Sequence, residues 1–277
     1  MSLKGKLEIV AKTDVGQIRD HNEDYINASD VMGYALLADG MGGLNAGEVA
    51  SSMSVHLLMD EMIAYRQDPA LKEAELMDDE SDLSPPAKFV KAAINQANSA
   101  VFHVSQTQPQ CRGMGTTILA SLFYDNKVAI GHIGDSRVYR FRDEKLAPIT
   151  KDHSFVQELI DKGLYTEEEA RLSNRKNVVT RALGVGPDVD VEVHEHECEV
   201  GDIYLLCSDG ITDLIEDADI EVTISQMNKK LDACAQYLVT LANASGGKDN
   251  ISVILVRVVK PFPAEGGLVD KIVNWFE

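Results

Sequence analysis

The sequence predicts an α+β fold in which two antiparallel sheets are covered by helices. Strand-like and helix-period segments arrive in blocks, strand, helix, strand, helix, with no regular βαβ alternation. Four short segments rich in β-branched and aromatic residues follow one another across tight turns between 116 and 150. The long helical segments carry their apolar residues at a period near 3.6, as helices facing a core do.

Taken in order, residues 6 to 12 and the run VMGYALLA (31 to 38) are apolar and end at turn signals, so each reads as a buried strand. A helix follows, with Val49, Met53, Val55, Leu58, Met59, Met62 and Ile63 on its core face. Residues 67 to 86 are acidic and bounded by prolines, which predicts an exposed loop or a short solvated helix. A second helix over 87 to 106 sets Phe89, Val90, Ala93, Ile94, Ala97, Val101 and Val104 on one stripe.

TTILASLFY, KVAIGHIG, SRVYRFR and KLAPIT then read as an antiparallel meander. Short helices are expected at 154 to 162, 166 to 172 (with a Thr166/Glu169 capping box) and 177 to 183. DIYLLCS and ISVILVRVV close the fold as strands around a helix near 232 to 242. Residues 1–258 read as one domain and 259–277 as a tail. The tail's Leu268, Ile272, Trp275 and Phe276 share a helical face that suits docking on this domain, a partner or a lipid surface.

Hydrophobic residues make up 44% of the 277 positions, enough for a sizeable core. A formal charge of −19 opposes binding to nucleic acid or to an anionic membrane surface, both of which need a basic footprint. Cys111, Cys198, Cys207 and Cys234 are dispersed without a C-x-x-C pair, which fits a reducing cytoplasm and suggests neither a zinc site nor a disulfide framework. No run of about 18 apolar residues is present to span a bilayer.

Three acidic dipeptides share one context. Asp39-Gly40 follows a buried strand, Asp209-Gly210 follows another, and Asp249-Asn250 immediately precedes a third. Each alone is an ordinary turn former. Together they deliver three carboxylates to strand mouths, and an oxygen-only set suits Mg²⁺ or Mn²⁺ rather than zinc. Two such ions about 3.5–4 Å apart can activate a shared water and neutralise a transferring phosphoryl group. Hydrolysis of a phosphate monoester is the natural reaction, and Arg19 is the candidate for gripping the dianion. Competing chemistries fail on the residues. Neither GMGGLNAGE nor GGKDN has the Gly-Lys-Ser/Thr ending of a P-loop, and Cys207 is followed six residues later by Asp213, not by the arginine a cysteine phosphatase needs.

RDHNED (19 to 24), LLADGMGG (36 to 43), GMGTT (113 to 117), GHIGDSRVY (131 to 139), SDGITD (208 to 213) and GGKDN (246 to 250) together resemble the protein phosphatase 2C family in its compact bacterial form. The resemblance runs in order from about residue 8 to 258. It implies a four-layer α-β-β-α sandwich with a dinuclear Mn²⁺/Mg²⁺ centre between the sheets, and a metal-dependent serine/threonine protein phosphatase that uses direct attack of a dimetal-bound water. Asp39 would bridge both ions, the Gly40 carbonyl would bind one, and Asp209 and Asp249 would complete the other. Glu23 and Asp24 match outer-shell acids, Arg19 the phosphate-binding arginine, and Asp135 and Asp213 a third, weaker metal position.

On the residues alone, Asp135 could instead hold the Gly134 turn and Asp213 could cap the following helix. Residues 152–186 correspond to the family's flap. Where many members carry a histidine after the first Asp-Gly, this chain has Met41. That leaves the proton donor unassigned among His21, His153 and a metal-bound water. The implied substrates are phosphorylated proteins, those of a bacterial serine/threonine kinase or the kinase itself, and the chain is expected to be monomeric. The alternatives are a non-catalytic phosphoprotein-binding module on the same fold and a hydrolase of a small phosphorylated metabolite.

Overall fold

A computed structural model of the chain describes residues 2–42, 46–74, 76, 81–173, 175 and 177–264. Both sheets are antiparallel throughout. The first joins β1 (Leu7–Asp14), β11 (Ile251–Val258), β10 (Ile203–Cys207), β7 (Arg137–Arg142) and β8 (Lys145–Pro148) in that order. The second joins β2 (Asp24–Ser29), β3 (Tyr34–Met41), β5 (Ile118–Tyr124), β6 (Lys127–Ile133) and β9 (Glu192–Glu197), with the two-residue β4 (Gly115–Thr116) pairing the end of β3.

Strict period-two alternation assigns the faces. Along β3, Tyr34, Leu36 and Ala38 pack under α1 (Ala46–Gln67) and α3 (Pro85–Thr107), whereas Ala35 and Leu37 face the other sheet. Along β10, Ile203, Leu205 and Cys207 pack under α7 (Asp217–Met227) and α8 (Leu231–Ala244), whereas Tyr204 and Leu206 face inward. The order helix, sheet, sheet, helix is the four-layer sandwich that the resemblance implied.

The long helices lie where the sequence placed them. Ser84 caps α3 through its side chain, with prolines at the first two helical positions, where a missing N–H costs nothing. Val49, expected on the core face of α1, is 40% exposed. In the acidic 67–86 stretch a short helix, α2 (Pro69–Ala74), follows α1. The Thr166/Glu169 capping box is present on α5 (Glu167–Arg171), and Ser154 caps α4 (Phe155–Asp161). A four-residue helix, α6 (Asp209–Thr212), opens directly after β10.

Two element assignments are corrected as well. Residues 177–183 are not helical. The amide of Thr180 donates to the His153 carbonyl, and Leu183 exchanges both backbone bonds with Thr116, so this stretch is held as bridges by its neighbours. The meander over 116 to 150 is instead two hairpins in different sheets, β5–β6 and β7–β8. Gly134, at φ +106°, turns the chain from one sheet to the other, and an added Cβ would lie 2.6 Å from the Thr117 side chain. The strands β2 and β9 and the helix α7 are additions to the sequence reading.

After β11 the chain stays on the domain as far as it is described. Phe262 is buried against Phe123 between the sheets, and its amide donates to Asn126 Oδ1 at 2.6 Å. The amphipathic segment carrying Leu268, Ile272, Trp275 and Phe276 lies outside the described residues.

Candidate metal centre

Alternation along the strands also fixes what stands at one end of the inter-sheet layer. Asp39 continues the inward series Ala35, Leu37 on β3, and Asp24 continues Ala28, Ile26 on β2, and the two are directly paired across the strands. In the facing sheet Ser252 continues Ile254 and Val256 on β11, while Ser208 follows β10. At this end the apolar layer therefore gives way to carboxylates and hydroxyls. Ser208 Oγ donates to Asp24 Oδ2 at 2.9 Å, and the Thr13 and Ser252 hydroxyls pair at 2.8 Å.

Asp39 is fixed through its backbone. Its amide donates to Thr117 Oγ1 at 3.0 Å, and its carbonyl accepts from the Thr117 amide and Thr116 Oγ1, each at 2.8 Å. Gly40 is not the turn that the sequence suggested but a strand residue, since β3 runs on to Met41 and pairs Gly40 with Thr116, and it is a packing requirement. The start of α1 crosses it so closely that an added Cβ would stand 2.3 Å from the Gly47 carbonyl oxygen.

The structure brings together Asp24, Asp39, Asp135, Asp209 and Asp249, with Glu23 and Asp213 alongside, since the charges of these groups act on one another's protonation. Burial, then the neighbouring carboxylates, hold Asp39 and Asp209 well above the ordinary aspartate range. Burial pushes Asp24 up to about 6. Asp135 is likewise raised to about 6, chiefly by burial and next by Asp152. Each desolvated carboxylate resists ionising beside its neighbours until a cation offsets the charge. Asp24 Oδ1 and Asp209 Oδ1 are buried with no hydrogen-bond partner. Orphaned oxygens, an oxygen-only donor set and mutual repulsion fit hard divalent cations. Among the described residues no three of these carboxylates bring one oxygen each within 4.8 Å of one another.

Arg19 pairs with Asp249, Nη2 to Oδ2 at 2.6 Å, on the solvent side of the cluster. That bond is the first cause holding its guanidinium above its ordinary value, and Glu23 and Asp39 add to it. The loop carrying Arg19 and Glu23 is organised by Asn250, a residue that the sequence reading treated only as half of a turn. Buried Asn250 donates from Nδ2 to the Val15 and His21 carbonyls, each at 3.0 Å, and accepts at Oδ1 from the Glu23 amide at 2.8 Å. Its only sequence signal is its place next to Asp249 at the start of a buried strand.

Asp213 is not the N-cap of the next helix, a position held by Glu216. It ends α6, where its amide donates to the Asp209 carbonyl at 2.7 Å and its Oδ2 accepts from Asn177 at 2.8 Å. Asn177, Gly210, Asp213, Leu214, Lys248 and Asp249 line a cleft of about 180 Å³. Asn177 and Lys248 are further residues that the sequence reading did not single out. His153 turns away from the carboxylates. Its Nδ1 accepts from the Gly134 amide at 3.1 Å and its Nε2 lies 3.1 Å from Glu192 Oε1, so both ring nitrogens are engaged outside the cluster. Cys207 is fully buried under the helices, as a strand residue should be.

Comparison with known proteins agrees with this arrangement. The family model for protein phosphatase 2C matches residues 17–246. The serine/threonine phosphatase stp of Listeria innocua is 36% identical over 89% of this chain and 94% of its own. The serine/threonine protein phosphatase PstP of Mycobacterium tuberculosis is 39% identical over 91% of this chain and 45% of its own. A crystal structure of the PstP catalytic domain in complex with two manganese ions superposes with a TM-score of 0.76 at 38% identity, over 92% of this chain and 99% of that one. With six ordered motifs, a shared four-layer sandwich and a match spanning most of its length, the chain belongs to the protein phosphatase 2C family.

Proposed function

We propose that this chain is a metal-dependent protein serine/threonine phosphatase, with Asp39, the Gly40 carbonyl, Asp209 and Asp249 holding two Mn²⁺ or Mg²⁺ ions. The observation that carries the reading is the convergence of desolvated carboxylates, two with orphaned oxygens, at one end of the inter-sheet layer. Relatives named as serine/threonine phosphatases and a neighbour crystallised with two manganese ions support it.

The ions supply an activated water as nucleophile and offset the charge of the phosphoryl group. The chain's own residues do the rest. Arg19 is long enough and exposed enough to exchange Asp249 for a phosphate oxygen, where its planar fork gives two parallel bonds. Glu23 and Asp24 sit behind the ligands as acceptors for ordered water. Asp135 and Asp213, which both act on Asp209, are the acids for a third ion. The 180 Å³ cleft with Lys248 and Asn177 is suited to the residues that flank a phosphorylated side chain.

The substrates are phosphoproteins, among them targets of a bacterial serine/threonine kinase, and the enzyme acts as a cytoplasmic monomer. Four free cysteines fit that compartment, and among the described residues no helix is long and apolar enough to cross a membrane. Phosphate release from a phosphothreonine peptide tests the reading. Release is expected with Mn²⁺, and neither in EDTA nor from Asp39→Asn. Metal-independent release, or full activity in Asp39→Asn, would overturn it.

A further inference from the structure

A second cluster of metal-binding side chains lies away from the carboxylates, on the inward face of the second sheet where β6 meets its edge strand β9. The register pairs His132 with Glu192 and Ile130 with His194, so His132, Glu192 and His194 project to the same side. Each offers one donor atom, and the three donors lie within 4.8 Å of one another.

Three observations point to a cation. His132 is fully buried, and its Nε2 lies 3.0 Å from the Lys151 carbonyl. A carbonyl can only accept, so this bond places the proton on Nε2 and leaves Nδ1 as a bare lone pair, and Nδ1 has no partner. A histidine whose other nitrogen donates to a backbone carbonyl has the arrangement that orients metal-ligating imidazoles. Next, His194 Nε2 is buried and likewise without a partner. It lies 3.8 Å from Glu192 Oε2. That gap is too long for a hydrogen bond and close to the span of two ligands that each reach a shared ion at about 2.0–2.2 Å. Finally, Glu192 is already oriented, because its Oε1 meets His153 Nε2 at 3.1 Å and Arg181 Nη1 at 3.4 Å, leaving Oε2 for the ion. Burial also holds His132 down to about 3, so it needs no deprotonation to ligate.

We infer that His132, Glu192 and His194 form a site for a borderline cation of the Zn²⁺ class, with two imidazoles, one carboxylate and a solvent-facing fourth position. The side chains of His194 and Glu192 are 33% and 38% exposed, which provides the entry path. The site ties the edge strand β9 to β6, and through the Lys151 carbonyl and His153 it reaches the start of the 152–186 segment. It differs in kind from the carboxylate centre, which offers oxygen alone.

That difference makes the test selective. Full-length protein carrying Asp39→Asn, stripped with EDTA and dialysed, is titrated with Zn²⁺. Binding is followed by X-ray absorption at the zinc edge and by ¹H–¹⁵N spectra of the histidine rings. One tightly bound Zn²⁺ with imidazole scattering is expected, with shifts at His132 and His194 and none at His21, His56 or His103. His194→Ala and the milder His194→Gln, both on a partly exposed side chain, should weaken this binding by more than about tenfold while the circular dichroism spectrum is retained. Oxygen-only scattering, ring shifts confined to the other histidines, or unchanged affinity in both variants would overturn the assignment.

Discussion

Asn250→Ala is expected to damage both stability and catalysis, although Asn250 holds neither metal nor substrate in the proposed reaction. The side chain is 5% exposed and makes three hydrogen bonds, to the Val15 and His21 carbonyls and from the Glu23 amide. A hydrogen bond is worth about 1 kcal/mol net, and a buried group left unpaired costs about 1–3 kcal/mol. Loss of all three should therefore cost roughly 3 kcal/mol. At about 2–4 °C per kcal/mol for a chain of this size, the melting midpoint should fall by roughly 6–12 °C. The loop so released carries Arg19 and Glu23, and a displacement near 1 Å at such groups can cost about 10²-fold in rate. Calorimetry and Mn²⁺-dependent phosphate release measure the two effects. Asn250→Asp should be at least as harmful, because it sets a carboxylate against two carbonyls beside Asp249. A midpoint within about 1 °C of wild type together with unchanged kcat would refute the reasoning.

Arg19→Ala should lower kcat/KM by about 10–100-fold, since a charge-assisted bond is worth about 1.5–3 kcal/mol, and should leave the dependence on Mn²⁺ intact. Gly40→Ala should fail to fold or lose activity outright, because its Cβ would meet backbone oxygens of Gly47 and Glu23 at 2.3 and 2.7 Å, and circular dichroism with expression yield reads this directly. EDTA-treated protein should melt lower at neutral pH than in mild acid. Asp24 and Asp135 titrate near 6 when folded and near 3.8 when unfolded, so the unfolded state binds fewer protons in that window and stability falls as pH rises through it. Mn²⁺ should raise the midpoint more at pH about 7.5 than at about 5.5, and a pH-independent midpoint would count against the buried cluster. Lys248→Ala should raise KM for a phosphopeptide more than for a small aryl phosphate, which has nothing to place in the cleft.

Much of the site was legible because its carboxylates interrupt patterns that are otherwise plain. Asp39 ends a continuous apolar run that reads as a buried strand, and Asp209 and Asp249 stand at the mouths of two more such runs. What surrounds them was less legible. The bonds of Asn250 reach back more than 200 residues, and no local pattern encodes a partner at that distance. The role of Gly134 was hidden because the strands on either side of it look alike, whichever sheet each joins.

The two strands missing from the sequence reading are the two edges of the second sheet, β2 and β9. They lack the usual signal for different reasons. On β9 the inward positions, where alternation leads one to expect Val, Ile or Leu, carry Glu192, His194 and His196, whereas the six-residue β2 keeps Ile26 and Ala28 inward and breaks the pattern only at Asp24. Polar side chains facing the interior cost stability unless something satisfies them, and Asp24 Oδ1, His194 Nε2 and His196 Nε2 on these strands, with His132 Nδ1 on the neighbouring β6, have no partner. One edge delivers its acid to the carboxylate centre, and the other builds the imidazole cluster. On β9 the breakdown of hydrophobic patterning and the presence of cation-binding chemistry thus have one cause. Local rules give way where inward-facing positions are set aside for a ligand rather than for packing.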